Sequence, residues 1–469
     1  MFFFEKKNQK TFAYLALRLR AAPRPATPRL IAGIYIVFAL LGVLLLASTM
    51  PPFLNADETP HAYRADQISH FGLIGQTIST GESGGQLDIG MALAHKPFDE
   101  VLFGRQRRVD VAMYTPIAWG SVMALGFPST APYPPLFYLP AAFAIGATRL
   151  AGTSVLHGLL AARLAQGLAS IAVGALAIAL ADGAALFVYA LLLLPMTMAQ
   201  DAALSQDGPM IACTALAACL CRRAAGGNRG SLPAAAVLLA LAATARPAYA
   251  ALALPLLGAR APWRHLLAYV SGVVGATAAW SLFTAHLVRV PQRVDGVVDP
   301  HAQLLGLVLA PWRLPPLIWH TLQRDFAVLV EQFVGVLGYL NVQLPRMYHR
   351  TAWVILLVAL LSLLRASQLR TASSWLLGLA SLGTALGVGL LLYMTWTNLG
   401  APWVDGLQGR YFLPPALMMA ALPQRQTPVR QAAAGGERRL LMLAEWAVLL
   451  FPILGIAVTM HAIIVHFYI

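Results

Sequence analysis

The chain has 469 residues, of which 58% are hydrophobic and only 11% are charged. A soluble domain averages about 25% charged residues, so a chain of this length lacks the polar groups to cover a globular surface. Several apolar runs exceed the roughly 18 residues needed to cross a bilayer, and they do not alternate as barrel strands do. Composition therefore excludes a soluble globular protein and predicts a polytopic α-helical integral membrane protein.

The formal net charge of +14 comes mainly from arginines spread over short loops. This distribution is typical of the positive-inside rule, in which cytoplasmic loops carry the excess of Lys and Arg. Since the basic residues are not gathered on one soluble domain, we expect no nucleic-acid partner. The three cysteines form no CxxC pattern and indicate small buried residues rather than a zinc site or a disulfide framework.

The first 29 residues are basic and precede an apolar run at about 30–50. A cleavable signal peptide would have a shorter apolar core and a small-residue cleavage site, whereas Pro51 and Pro52 follow this run. We therefore expect residues 1–29 to be cytoplasmic and residues 30–469 to form one transmembrane domain. Abundant Ala and Arg are typical of a GC-rich bacterial genome, and hence indicate a bacterial inner membrane.

Two long polar stretches, about 51–130 and 289–350, interrupt the apolar pattern. With a cytoplasmic N-terminus, both are predicted to lie outside. The first is rich in acidic residues and has little strand character, so we expect short amphipathic helices there. The second contains several prolines and amphipathic pieces such as 317–336.

The remaining apolar segments predict about 11 crossings, each needing roughly 20 residues. Arginine-rich breaks such as Arg222–Arg229 read as cytoplasmic, and the C-terminus then lies outside. The first polar stretch and the Arg222 break are predicted on opposite sides of the membrane, so an odd number of crossings must separate them. Four apolar segments lie between them, so one is short, broken or re-entrant, and the pair around Pro195 and Pro209 is the candidate. The segments are 133–151, 157–180, 184–204, 209–222, 233–258, 265–288, 351–365, 373–396, 411–424 and 440–467.

Asp57, Glu58 and His61 stand at the start of the first polar stretch, a few residues beyond the first apolar run. A carboxylate at the membrane–water boundary can act as a general base on an alcohol, or bind a divalent cation. His61 lies within reach if the segment is helical. The structural alternative is a helix start, with Asn55 or Asp57 as the N-cap and Glu58 in the first turn.

Arg246 lies in the middle of the apolar segment 233–258 and precedes Pro247, which interrupts a helix. Two short helices meeting at Arg246 would bring it to the outer face, where an Arg fork suits a phosphate. The alternative is a hairpin tip whose Arg reaches water. Arg410 precedes Tyr411 at the entry to another segment, where either phosphate binding or interfacial anchoring fits.

Asp201 and Asp207 flank a helix break. They are candidates for a second part of an active site. A capping role for Asp207, before Gly208 and Pro209, is the alternative.

Several short motifs, in this order along nearly the whole chain, resemble an uncharacterised family of bacterial polytopic membrane proteins that is similar to the GT-C superfamily of polyprenyl-phosphate-sugar glycosyltransferases. The motifs are Asp57-Glu58-x-x-His61-x-x-Arg64-Ala65 with Ile68 and Gly72, Tyr133-Pro134-Pro135-Leu136, Ala161-Ala162-Arg163, Asp207-Gly208-Pro209, Arg246-Pro247-Ala248-Tyr249, Gly335-x-x-Gly338-Tyr339-Leu340-Asn341 and Gln408-Gly409-Arg410-Tyr411-Phe412.

The resemblance implies a GT-C-like helical bundle with a large outer first loop. It implies inverting transfer of a sugar from a polyprenyl phosphate, with Asp57 as the base and Glu58 as its neighbour or an alternative. Arg246 and Arg410 would contact the lipid phosphate. Asn341 stands where the family often has Asp, which argues against an acid at that position.

We therefore expect a membrane glycosyltransferase that modifies a cell-envelope glycan or glycolipid on the outer face. Catalytic residues would be Asp57 and Glu58. No cofactor is required by the sequence, although Mg²⁺ or Mn²⁺ remains an open alternative. Two rival hypotheses are a transporter or flippase for a lipid-linked or anionic substrate, and a non-catalytic assembly subunit. The expected substrate-binding residues are His61, Arg64, Asp207, Arg246, Tyr249, Arg410 and Tyr411.

Overall fold

The computed structural model describes residues 26–78, 82–288, 297–425 and 435–469, with side chains from 439 in the last range. Nearly all of the predicted cytoplasmic segment 1–29 lies outside these residues. The described chain is mainly helical, and its longest helices are strongly apolar, which agrees with the prediction of a multi-pass helical membrane protein.

Six described helices are long and apolar enough to cross a membrane, by length and composition. A seventh crossing is added if two bent helices count as one span. The prediction of about 11 crossings is not confirmed, because the other apolar helices are too short or too polar to pass the same test. The six helices are α1 (Pro28–Thr49), α6 (Val155–Leu180), α11 (Trp263–Leu287), α14 (Arg346–Arg365), α15 (Ala372–Thr395) and α17 (Gly435–Phe467).

Several of the predicted segments depart from straight spanning helices. The predicted segment 133–151 yields only α5 (Leu139–Leu150), which is too short to span on its own. The predicted segment 184–204 is divided into α7 (Ala185–Leu192) and α8 (Pro195–Asp201), with a bend of 78° between them. Because proline removes a helical hydrogen bond and clashes with the preceding turn, the break falls at Pro195, as the sequence predicted.

Three more apolar elements complete the bundle between the long helices. α9 (Asp207–Ala225) follows the α8 break, and α10 (Ser231–Ala245) continues after Arg246 as a 3₁₀ helix, Pro247–Gly258. The predicted division of this segment at Arg246 is therefore confirmed. α1 packs against α6, α6 against α5 and α9, and α9 against α10.

The first polar stretch contains a small sheet, so the expectation of helices alone was wrong there. β1 (Gln76–Thr77), β2 (Ser83–Asp88) and β3 (Val122–Gly126) form an antiparallel sheet in the order β1-β2-β3. Gly84 faces Gly126 across the ladder, and a Cβ at Gly84 would lie 1.9 Å from the Leu125 carbonyl oxygen. The glycines that weaken the strand signal are required by this close approach. The helices of this stretch are α2 (Glu58–Ser69), α3 (Ile89–Ala94) and α4 (Lys96–Leu102).

The second polar stretch folds as α12 (Pro300–Leu309), a short 3₁₀ turn Pro311–Arg313, and α13 (Leu314–Gly335). A two-stranded hairpin follows, with β4 (Val336–Leu337) paired to β5 (Val342–Gln343). After α15 the chain enters a 3₁₀ turn, Gly409–Phe412, and the short helix α16 (Leu413–Met418).

Hydrogen bonds define two ends of the bundle. At one end, the Tyr468 hydroxyl after α17 donates to the Thr49 carbonyl at the end of α1. At the other, Arg222 near the end of α9 donates to the carbonyl oxygens of Ala366 and Leu422. Asp207 opens α9, so it lies at the first end, roughly 22 Å from Arg222 along the helix. We call the end that contains Thr49 and Asp207 the site end.

Candidate active site

Asp57 lies between α1 and α2 with a left-handed backbone, φ 59°. Asp is among the few residues that tolerate this conformation without a large steric cost. Its side chain makes no capping hydrogen bond to α2, so the alternative role of Asp57 as an N-cap through its carboxylate is not observed. With the side chain 49% exposed, the carboxylate is open to solvent.

Arg410 holds this carboxylate from the protein side. Its Nη2 donates to Asp57 Oδ2 at 2.5 Å, and its Nε lies 3.6 Å from Asp207 Oδ2. The Arg410 side chain is only 3% exposed, and its Nη1 also donates to Gln200 Oε1 at 3.5 Å. One enclosed guanidinium therefore bridges two carboxylates, of which only Asp57 faces solvent.

The position of Arg410 is fixed by the glycine before it. The Gly409 N–H donates to Gln332 Oε1 of α13 at 2.9 Å. A Cβ at Gly409 would lie 2.4 Å from the Leu329 carbonyl oxygen, so a side chain there would displace the turn. The segment thus lies directly on α13, and this contact directs Arg410 toward Asp57.

Arg246 pairs with Asp207 on the other side of the site. Its Nη2 donates to Asp207 Oδ1 at 2.8 Å and to Oδ2 at 2.9 Å. The Asp207 side chain is 4% exposed and that of Arg246 is 18% exposed. Arg246 is thus engaged in the protein rather than simply reaching water, and the carboxylate of Asp207 binds arginine instead of capping α9.

Tyr411 lies against both guanidinium groups. The centre of the Arg246 guanidinium is 4.4 Å from the ring centroid of Tyr411, and that of Arg410 is 5.6 Å away. The Tyr249 hydroxyl donates to the Tyr411 carbonyl at 3.1 Å, which ties the 3₁₀ helix to this turn. We call Asp57, Arg410, Asp207 and Arg246 the charge network; in it negative and positive groups alternate.

His61 is buried one turn into α2, close to the charge network. Its Nδ1 lies 2.6 Å from the Tyr138 hydroxyl, and its ring stacks on Tyr133 with centroids 6.0 Å apart. Burial lowers the pKa of His61 to about 4, although the charges of Asp207 and Asp57 oppose this shift. The imidazole is therefore neutral at physiological pH and offers a hydrogen bond, not a positive charge.

Glu58, adjacent to Asp57 in sequence, is turned away from solvent and is fully buried. Arg163 of α6 donates to it from Nε at 2.7 Å and from Nη2 at 2.5 Å. The Leu204 N–H and the Asn55 amide also donate to Glu58. These contacts leave the carboxylate no free face for a substrate, so we assign Glu58 a structural role and do not carry its predicted catalytic role further.

Arg64, predicted to bind substrate, is also fully enclosed. Its guanidinium donates to the carbonyl oxygens of Leu73 at 2.7 Å and Tyr133 at 2.9 Å, and also bonds Gln67. It holds the loop after α2 against Tyr133. Asp201 is buried beside Ser170 and makes no ion pair with a described residue, so neither Arg64 nor Asp201 joins the charge network.

The sequence interpretation missed several partners of these residues. Arg163 carried a usable signal, because an arginine inside the apolar segment 157–180 requires an acidic or carbonyl partner. Gln200, Tyr138 and Gln332 gave no such signal, since neutral side chains at these positions fit ordinary packing equally well.

The described residues contain no group of three or more His, Cys, Asp or Glu side chains placed to hold a metal ion. Asp57, the carboxylate with the open face, is bonded to a guanidinium. A divalent cation does not fit this donor set.

The model of the family described as "Predicted membrane protein (DUF2142)" matches residues 38–419, and the chain belongs to this family. No curated protein and no solved structure matches the chain.

Proposed function

We propose that this member of a family of predicted membrane proteins is a glycosyltransferase. It moves a sugar from a polyprenyl phosphate to a cell-envelope glycan or glycolipid at the outer face of the bacterial inner membrane. The observation that carries the proposal is the half-exposed Asp57 carboxylate, which lies 2.5 Å from the enclosed Arg410. Asp207 lies between Arg410 and Arg246 and contacts both, so the second arginine is close as well. Such an arrangement suits a base next to a site for a departing phosphate.

In the proposed reaction the acceptor hydroxyl attacks the anomeric carbon of the donor sugar. The bond between that carbon and the phosphate oxygen breaks, and the electron pair leaves with the lipid phosphate. The hydroxyl proton passes to Asp57 and then to water. The products are the glycosylated acceptor and the free lipid phosphate, and attack opposite the leaving group inverts the anomeric configuration.

The arginines serve the leaving group. A phosphate monoester that departs gains negative charge, and guanidinium groups are well suited to bind it through paired N–H donors. Arg246 is 18% exposed while Arg410 is 3% exposed, so Arg246 is the first to meet a ligand that arrives from solvent or lipid. Tyr411 and Tyr249 keep the two arginines in place.

Substrate transport is the less supported function. A transporter places charged residues along a path across the membrane. The charge network instead gathers at the site end, where α1, α9 and α10 each have one terminus. This clustering favours a reaction at one membrane surface.

The test is transfer by the purified full chain from a panel of polyprenyl-phosphate sugars to glycan and glycolipid acceptors. Asp57→Asn should lower the rate by about 10²–10⁴-fold, as expected for loss of a general base, with an unchanged elution profile and only a small change in melting temperature. Glu100→Gln is the matched control, since Glu100 is also an exposed, arginine-paired carboxylate in the same polar stretch. Equal activity of Asp57→Asn and Glu100→Gln would refute the role of Asp57, and no transfer or donor hydrolysis with any donor would refute the proposed function.

A further inference from the structure

α13 and the turn before it present a line of large aromatic side chains to the outside of the molecule. Trp312 is 72% exposed, Trp319 is 60% exposed and Phe326 is 61% exposed. Trp319 and Phe326 are seven residues apart on α13 and lie on one face, because two helical turns contain about 7.2 residues. Trp312 precedes Trp319 by the same interval and lies in the 3₁₀ turn Pro311–Arg313. We call Trp312, Trp319 and Phe326 the aromatic stripe.

The other faces of α13 have different surroundings. Leu317 and Thr321, on the side opposite the stripe, are buried against the protein. His320 and Arg324 are exposed and lie about 100° and about 140° around the helix from Trp319, at about 100° per residue. The helix therefore has one face on the protein, one apolar face and a polar flank between them. A helix that lies at a membrane surface has this pattern.

Hydrogen bonds keep both helices of this stretch at the site end. Gln303 of α12 donates to the Tyr393 and Thr397 carbonyls where α15 ends. Along α13, the Thr321 hydroxyl accepts from the Val404 N–H, and Gln332 accepts from the Gly409 N–H, both at 2.9 Å. α13 is thus attached at two points to the 404–409 segment, which lies between the end of α15 and the turn that carries Arg410.

A surface that recruits acidic head groups needs a cluster of several basic side chains, whereas only two arginines, Arg313 and Arg324, flank the stripe on its own helix and turn. Arg324 is paired with Asp325 at 2.8 Å and with Asp405 at 3.0 Å, so its charge is locally compensated. Tryptophan is enriched where apolar chains meet the polar head groups of a bilayer. Binding at this surface is therefore driven by burial of its apolar area and not by charge attraction.

We propose that the partner of the aromatic stripe is the lipid leaflet itself, with α13 lying in the membrane–water interface at the site end. Trp312, Trp319 and Phe326 then share one depth, at the boundary of head groups and acyl chains. Through Thr321 and Gln332, α13 also sets the level of the turn that carries Arg410 relative to that leaflet. This placement of α13 does not depend on the proposed glycosyl transfer, and the two proposals are tested by separate experiments.

The experiment measures depth with nitroxide spin labels on the full chain in lipid nanodiscs. Cys213, Cys219 and Cys221 are first replaced by alanine, and single cysteines are then introduced as Trp312→Cys, Trp319→Cys and Phe326→Cys. Collision with oxygen and with a water-soluble nickel chelate reports the depth of each label. His320→Cys samples the polar flank, and Arg105→Cys, at a position 62% exposed in the first polar stretch, serves as the water-exposed control.

The three stripe labels should favour oxygen over the nickel chelate and should share one depth within a few ångströms, while the control favours the chelate. A spanning helix would instead separate Trp312 and Phe326 by about 21 Å, at 1.5 Å per residue, and such a gradient overturns the proposal. Chelate access equal to that of the control overturns it as well, and would assign the stripe to a protein partner. As a label-free check, brominated lipids should quench the native fluorescence less in Trp319→Phe than in the unmodified chain, whatever the content of anionic lipid; equal quenching counts against the proposal.

Discussion

Replacing Glu58 with Gln should destabilise the protein far more than replacing its neighbour Asp57 with Asn. Glu58 is fully buried and receives two hydrogen bonds from Arg163, whose side chain is itself only 2% exposed. Asp57 is half exposed, and its partner Arg410 retains Asp207 nearby when Asp57 is changed. The two substitutions are chemically equivalent, so their difference isolates the surroundings of each carboxylate.

The size of the effect follows from what each change leaves behind. In Glu58→Gln, the Arg163 charge stays buried and keeps only the carbonyl oxygens of Ala47, Met50 and Pro51 and a neutral amide. Removing one partner of a buried pair costs about 3–5 kcal/mol. In Asp57→Asn, a half-exposed pair is lost, for which about 1 kcal/mol or less is expected.

The assay is thermal unfolding of each variant in one detergent at one protein concentration, followed by tryptophan fluorescence, with Glu100→Gln as the exposed control. Glu58→Gln should melt well below the other two. Replacing both partners together, as Glu58→Leu with Arg163→Met, should recover part of the loss because no unpaired charge remains. If Glu58→Gln and Asp57→Asn melt together, the structural role assigned to Glu58 is refuted.

Three further predictions concern the charge network and its neighbour. Arg246→Ala should raise KM for the lipid-phosphate donor by about tenfold or more, with little change in acceptor KM, as steady-state kinetics can show; unchanged donor kinetics would contradict phosphate binding. Asp207→Asn should strengthen inhibition by free polyprenyl phosphate, because Asp207 competes for both arginines; weaker inhibition would mean that Asp207 mainly orients them. The pKa of His61 is lowered to about 4 in the folded protein, so the unfolded chain binds the proton first as pH falls. Stability that is fully present above about pH 6.5 is therefore lost as pH falls through 4, and the loss amounts to about 3 kcal/mol. The melting temperature of His61→Gln should therefore fall less than that of the unmodified chain between pH 7 and 4, and parallel profiles would contradict this.

The main residues of the candidate site could be found from sequence because each broke a local pattern. Arg246 is a charge inside an apolar run, Asp57 stands a few residues beyond a hydrophobic helix, and Arg410 precedes another apolar segment. Polar residues that interrupt apolar runs in this way lie at helix ends, and helix ends on the same side of a membrane can come close to one another. The structure does bring these three residues and Asp207 together.

The direction of individual side chains within the same motif could not be predicted. Successive residues on a helix point about 100° apart, and the sequence does not fix the rotation of a short helix such as α2. Glu58 and Arg64 are therefore equivalent to Asp57 and His61 in the sequence. In the structure, Glu58 is turned to Arg163, and Arg64 is turned to backbone carbonyl oxygens. The sheet was missed for a related reason, since Gly84 and Gly126 reduce strand propensity while the pairing that requires them is non-local.

The short apolar helices that do not qualify as spans also explain the position of the site. Straight helices of 20 residues or more are recognised by length, whereas α8, α10 and the 3₁₀ helix Pro247–Gly258 are each too short. Their breaks leave backbone groups and charged side chains inside the protein at one end of the bundle, which is tolerated only where other protein groups satisfy them. Asp207 and Arg246 satisfy each other there, and Arg410 joins Asp207 to the exposed Asp57. The same interruptions therefore make room for a polar site at one end of the bundle. The proposed reaction needs such a place, because its donor is lipid-linked and its acceptor is water-borne.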